Sequence, residues 1–242
     1  KRSRDRGHAV RSRRHRRVGG LYATTRGFTR PIAEQTATWK AALSLHGIEV
    51  ARAIEDALAG YDVVLDLVTG REPLSQSWIR QLHERLLRSQ TTFTVFTVLG
   101  PQTHPMPKGV YKTQPNNPTN AETGRLFHYA PPSDTPAEMS RLLGEIGTDD
   151  FAGASPAVQA AYVHHAFVRI HPFADGNGRV ARALASIYLY REPGVPLVIF
   201  ADQRGLYLDA LGAADSGSSQ RFVSFIAGRT IDTIEMVRSS LE

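Results

Sequence analysis

The chain has 242 residues, 41% of them apolar, which is enough to bury the core of one large domain. It has no cysteine, which excludes disulfides, thiolate metal sites and a cysteine nucleophile and suits a reducing, cytoplasmic setting. No run approaches the ~18 apolar residues of a membrane span, and no apolar signal core follows the basic start.

The net charge of +6 sits at one end. Residues 1–17 hold nine of the 29 Lys and Arg and one of the 23 Asp and Glu, leaving 20 basic against 22 acidic side chains elsewhere. This run, KRSRDRGHAVRSRRHRR, offers almost nothing to bury and is expected to be a disordered arm. If it functions, its partner is nucleic acid or another polyanion bound through phosphate charge and therefore sensitive to salt. A plain solvated tail is the competing reading. The chain begins at Lys1 rather than Met, leaving room for a leader or domain upstream.

Residues 18–90 read as a helical region, with Pro31 at a first helical position and Ile79, Leu82, Leu86 and Leu87 at helical spacing. TTFTVFTV at 91–98 has β composition and alternation, whereas 100–120, with five prolines and two glycines, reads as a long loop of the kind tied to binding. GRLFHY at 124–129 is expected to form a short hairpin arm. Thr135 and Glu138 spell a capping box, Pro136 and Pro156 mark helix starts, and Met139, Leu142 and Leu143 continue the first of these helices. DSGSS at 215–219 is expected to separate a short helix from a last one, whose end is 231–242.

Between these elements stands HPFADGNGRVAR, His171 to Arg182. Gly176 and Gly178 flank Asn177, so the backbone can turn its N–H groups toward one point, an anion cradle. The helix formers that follow place this cradle at a helix N-terminus, where phosphate is favoured. Arg179 and Arg182 fall on one face and can grip several phosphates. Asp175 beside a polyphosphate calls for a cation, ordinarily Mg2+. His171, neutral near pH 7, can accept a proton from an attacking hydroxyl. Phe173 is expected to anchor the loop in the core.

The segment closely resembles the signature of the Fic-domain family, H-x-F-x-(D/E)-G-N-G-R-x-x-R, with every specified position met. The resemblance implies an all-α, Fic-like helical bundle with a short β-hairpin flap beside the active site. It further implies an enzyme that uses ATP and Mg2+ to move AMP onto a Ser, Thr or Tyr hydroxyl of a target protein, releasing pyrophosphate. His171 would then be the general base and Asp175 the metal ligand. Gly176, Asn177 and Gly178 would form the anion hole for the α and β phosphates, with Arg179 on the phosphate chain and Arg182 toward its γ end. Residues 109–146 resemble the family's flap and the helix after it, the flap itself at about 109–130 being where a target protein docks, within a catalytic core of 91–230.

Many members carry an inhibitory helix of pattern (S/T)-x-x-x-E-(G/N). The nearest match here is Glu49, although Leu45 and Val50 depart from the pattern. Without such a brake, a separate inhibitor protein is the expected regulator. Other readings keep the fold but change the chemistry. A death-on-curing kinase would have Lys where Gly178 stands, and an AMP-removing enzyme would need an intact inhibitory Glu. A non-catalytic nucleic-acid-binding protein would have no use for His171, Asp175 and Arg182 together. His164 and His165 point about 100° apart on a helix and do not suggest a shared ion. Tyr188 and Tyr190 read as core residues, and His128 and Tyr129 as flap residues.

Overall fold

The structure, a computed structural model, describes residues 48–70, 73–97, 99–117 and 127–241. The basic arm 1–17, the helix start at Pro31 and half of the GRLFHY arm lie outside them. In chain order the described elements are α1 (Ile48–Gly70), α2 (Gln76–Leu86), β1 (Thr92–Thr97), β2 (Gly100–Pro105), α3 (Thr135–Ile146), α4 (Asp149–Gly153), α5 (Pro156–Ile170), α6 (Asn177–Arg191), a 3-10 turn (Ala201–Gln203), α7 (Arg204–Asp215) and α8 (Ser219–Ser239). The fold is helical with a single two-stranded hairpin among the described residues.

α6 is the centre. Every residue from Ala183 to Tyr190 is buried, the condition of a helix enclosed on all sides. Its alanines 181, 183 and 185 let neighbours approach closely: α5 packs along it, α1 and α2 cover another flank, and α8 and α3 close over α5. Phe167, Phe173, Phe222 and Tyr190 are the largest side chains sealed into this core. α1 is tied to the turn after α2 by buried Asp56, which accepts from the Ser89 N–H (2.5 Å) and Arg88 Nε (3.2 Å). No helix among the described residues is long and apolar enough to cross a membrane.

Two local expectations need correction. The capping box at Thr135 does not form. Asp134 is the N-cap, and Thr135, already helical and buried, donates its hydroxyl to the Pro131 carbonyl (3.0 Å) while Glu138 pairs with Arg141. The segment 100–120, read as one long loop, also begins with a strand. TTFTVFTV does form a strand, and its antiparallel partner is 100–105, in register from Thr92 opposite Pro105 to Thr97 opposite Gly100. Gly100, at φ +100°, permits the tight reversal. The strand's two prolines are tolerated because a two-stranded ribbon consists of edges only. Residues 127–130, the described end of the expected arm, are not in a strand.

Candidate active site

α5 ends at Ile170, and His171 caps it with left-handed backbone (φ 51°, ψ 57°), the only non-glycine residue with positive φ among those described. Its Nδ1 lies 3.1 Å from the Val168 carbonyl. A carbonyl can only accept, so Nδ1 carries the proton and Nε2 keeps its lone pair. Burial holds the imidazole neutral, with its pKa lowered to about 4; the hydrogen bond to Val168 opposes this and the nearby Lys112 ammonium assists it. Tyr129 lies parallel to the ring at 4.0 Å.

The loop that follows is held by its main chain. Four successive carbonyls are each engaged from the segment 112–116: Ile170 by Lys112 Nζ (3.2 Å), His171 by Asn116 Nδ2 (3.3 Å), Pro172 by the Lys112 N–H (2.8 Å) and Phe173 by Asn116 Nδ2 (2.7 Å). Lys112 also donates to Asn116 Oδ1 (2.8 Å), and burial lowers its pKa to about 8. The fifth grip comes from α2. The Gly109 N–H donates to His83 Nδ1 (2.9 Å), so the ring proton sits on Nε2 and is given to the Asp175 carbonyl (3.1 Å). His83 is fully buried against Phe173, ring centroids 3.8 Å apart, and burial pushes its pKa down to about 4.

Gly176 turns the chain into α6 at φ +80°, and a Cβ there would stand 2.6 Å from Leu87 Cδ2. Asn177 spends its side chain on the loop, accepting from the Phe173 N–H (2.9 Å) and donating to the Phe173 carbonyl (2.7 Å). The N–H groups that open α6 have no acceptor within the helix, the condition that makes a helix N-terminus favourable to an anion. Asp175 Oδ1 accepts from the Gly176 N–H (2.6 Å). The Gln90 amide stands between Asp175 and Arg179, donating to Asp175 Oδ2 (2.7 Å) and accepting from Arg179 Nη2 (2.6 Å). Arg182 makes no ion pair among the described residues, and its guanidinium lies 3.3 Å from where a Cβ on Gly178 would be.

The structure thus brings His171, Asp175, Gly176, Asn177, Gly178, Arg179 and Arg182 to one end of α6. Glu49 lies in the first turn of α1, but its side chain is outside the described part of the structure. His164 is fully buried beside the Tyr207 hydroxyl (3.4 Å), whereas His165 pairs with Asp215 (2.9 Å), so they share no site. Tyr188 and Tyr190 are core residues. No group of three His, Asp or Glu suited to a metal occurs among the described residues. Sequence reasoning missed His83, Gln90, Lys112 and Asn116. Only His83 left a signal, a histidine inside the apolar stripe Ile79–Leu82–Leu86.

A helical bundle here gathers a buried neutral histidine, the N-terminus of a buried helix and two arginines in one place. Residues 73–189, a little under half of the chain, match the model of the Fic/DOC family. Over 105 residues, 43% of this chain, it is 37% identical to the protein adenylyltransferase Fic of Culex quinquefasciatus, of which the match covers 21%. The chain therefore spans about a fifth of the length of the curated relatives it matches. In three dimensions it is similar to a Fic-domain-containing signaling protein from Bacteroides thetaiotaomicron, with TM-score 0.68 and 27% identity over 79% of this chain and 72% of that one. It also shares the fold of IbpAFic2 covalently tethered to Cdc42, with TM-score 0.52 and 19% identity over 87% and 62% of the two chains.

Proposed function

We propose that this chain is a protein adenylyltransferase, moving AMP from ATP to a Ser, Thr or Tyr hydroxyl of a target protein. The observation that carries the reading is the neutral His171, its Nε2 unprotonated, held beside the N-terminus of α6 with Arg179 and Arg182 on the same helix. The named relatives support the same chemistry.

In this reading the phosphates of ATP sit on the N–H groups that begin α6, with Arg179 on the phosphate chain and Arg182 toward the γ end. The target hydroxyl attacks the α phosphorus as His171 Nε2 takes its proton; the new oxygen–phosphorus bond forms and the bond to the β-phosphate oxygen breaks, releasing pyrophosphate. Positioning and electrostatics supply most of the rate. Asp175 is half-exposed and the lone carboxylate of the loop. That suits Mg2+, which binds through one or two carboxylates plus phosphate oxygens. Asp175 would hold the ion, and the ion would neutralise phosphate charge. A target protein would dock at the segment 109–130; a distant neighbour of the same fold, IbpAFic2, has been seen covalently tethered to a protein, Cdc42. Arg182, which makes no ion pair among the described residues, would be the point of restraint, by Glu49 or by a separate inhibitor protein; Glu49→Gly should raise the rate if Glu49 is the brake and leave it unchanged if not.

The test incubates the chain with Mg2+, a protein target pool and ATP labelled at the α or at the γ phosphate, beside His171→Ala. Transfer of α label alone, lost in His171→Ala, is expected. Transfer of γ label alone would replace the reading with a kinase.

A further inference from the structure

The i,i+4 pair Asp175 and Arg179 does not close into a direct hydrogen-bonded ion pair. Arg179 Nη2 stops 3.7 Å from Asp175 Oδ2, and the amide of Gln90 fills the gap at 2.7 and 2.6 Å. A carboxylate can only accept and a guanidinium can only donate, so the amide has a single workable orientation, NH2 toward Asp175 and oxygen toward Arg179. The side chain cannot drift from that place. Its Nε2 also donates to the Thr92 carbonyl (3.0 Å) and its backbone N–H to Leu87 (3.1 Å), while the Met106 N–H bonds the Thr91 carbonyl (2.9 Å) beside it. The mouth of the hairpin β1–β2 thus delivers Gln90 to the cradle.

We infer that Gln90 is a positioning residue that keeps Asp175 and Arg179 from neutralising each other, so that both stay available to a bound metal–nucleotide. This rests on the reading of the site as an ATP site. A direct Asp175–Arg179 pair would occupy the guanidinium donors meant for phosphate and the carboxylate oxygens meant for the cation, and nucleotide binding would have to break it. A neutral amide with a donor on one side and an acceptor on the other gives each charge one hydrogen bond, and beyond these and the Gly176 N–H on Asp175 Oδ1 it takes up no further guanidinium donor or carboxylate lone pair.

The test is a double-mutant cycle in the full chain. The affinity for ATP with Mg2+ is measured calorimetrically for the unmutated protein, Gln90→Met, Arg179→Ala and the double variant, with thermal unfolding of each. Gln90→Met, of similar length but apolar, is expected to weaken ATP binding about tenfold in the unmutated background and by less than about twofold once Arg179 is gone, because the pair can no longer close. The same loss in both backgrounds, or none in either, would overturn the inference. So would a fall in Tm that parallels the loss in both Gln90→Met and Gln90→Leu, which would make Gln90 only the root of the hairpin. If the unmutated protein binds no ATP, the functional reading falls and this inference with it; binding with additive losses removes the inference alone.

Discussion

Tyr129 lies flat on His171, the two ring planes within 1° of parallel and their centroids 4.0 Å apart. A face-to-face contact with an imidazole fixes the plane in which Nε2 points, so the stack sets the direction from which a hydroxyl must approach. Tyr129→Phe keeps the ring and should transfer AMP at nearly the unmutated rate, whereas Tyr129→Ala frees the imidazole to tilt and should slow transfer about tenfold. Initial rates with α-labelled ATP decide between them; equal losses in both variants would assign the effect to the phenol hydroxyl instead.

The pH profile should be that of a base already unprotonated at neutrality. Burial lowers the His171 pKa to about 4, so the active form is present above that value and is lost as pH falls through it. Transfer is expected to be flat from about pH 6 to 8 and to decline only below about pH 5. An acid limb centred near 6.5, the ordinary value of histidine, would contradict the buried, neutral state.

The two glycines of the cradle should fail differently. At Gly176 an added Cβ meets the Leu87 side chain at 2.6 Å on a backbone at φ +80°, so Gly176→Ala should cost about 1–3 kcal/mol of stability. Gly178 is helical, and its Cβ would meet only the mobile end of Arg182 at 3.3 Å. Gly178→Ala should melt close to the unmutated protein yet bind ATP more weakly, because the methyl group stands in the space the phosphates need. Thermal unfolding beside calorimetric ATP binding separates the two; matching losses of stability would refute the distinction.

Acid should unfold the protein partly through His164. Its ring is fully buried and its pKa is pushed down to about 3, chiefly by burial and then by the positive charge of Arg182. Between that value and 6.5 the unfolded chain binds a proton that the folded one refuses, so stability falls as pH drops through this window. At pH 5 the penalty is about 2 kcal/mol for such a group. His164→Leu should therefore narrow the gap between the Tm values at pH 5 and pH 7, and an unchanged gap would remove His164 from the account.

The sequence showed the signature loop, the helix on each side of it and the strand at 91–98, because glycine and proline act locally and β-branched alternation is a local pattern. It read the partner strand, GPQTHP, as part of a loop because that segment carries no strand propensity of its own and pairs only because Gly100 turns it back. The capping box at Thr135 failed for a tertiary reason, since burial of that hydroxyl turned it toward Pro131. The residues that hold the site escaped notice for a related cause. Lys112 and Asn116 act through contacts with residues more than fifty positions away in the chain, and Gln90 with residues more than eighty away. A lysine in a proline-rich loop gives no sign that it will be buried at the end of a helix.

The grip on 170–173 and on Asp175 is made to carbonyl oxygens, which every amino acid supplies alike. The loop's path consequently takes no side-chain hydrogen bond from Pro172, which is buried, or from Ala174, the two positions that the signature leaves open between its histidine and its acid. A library randomised at those two codons should return many active clones, while one randomised at Lys112 and Asn116, which the signature does not include, should return few.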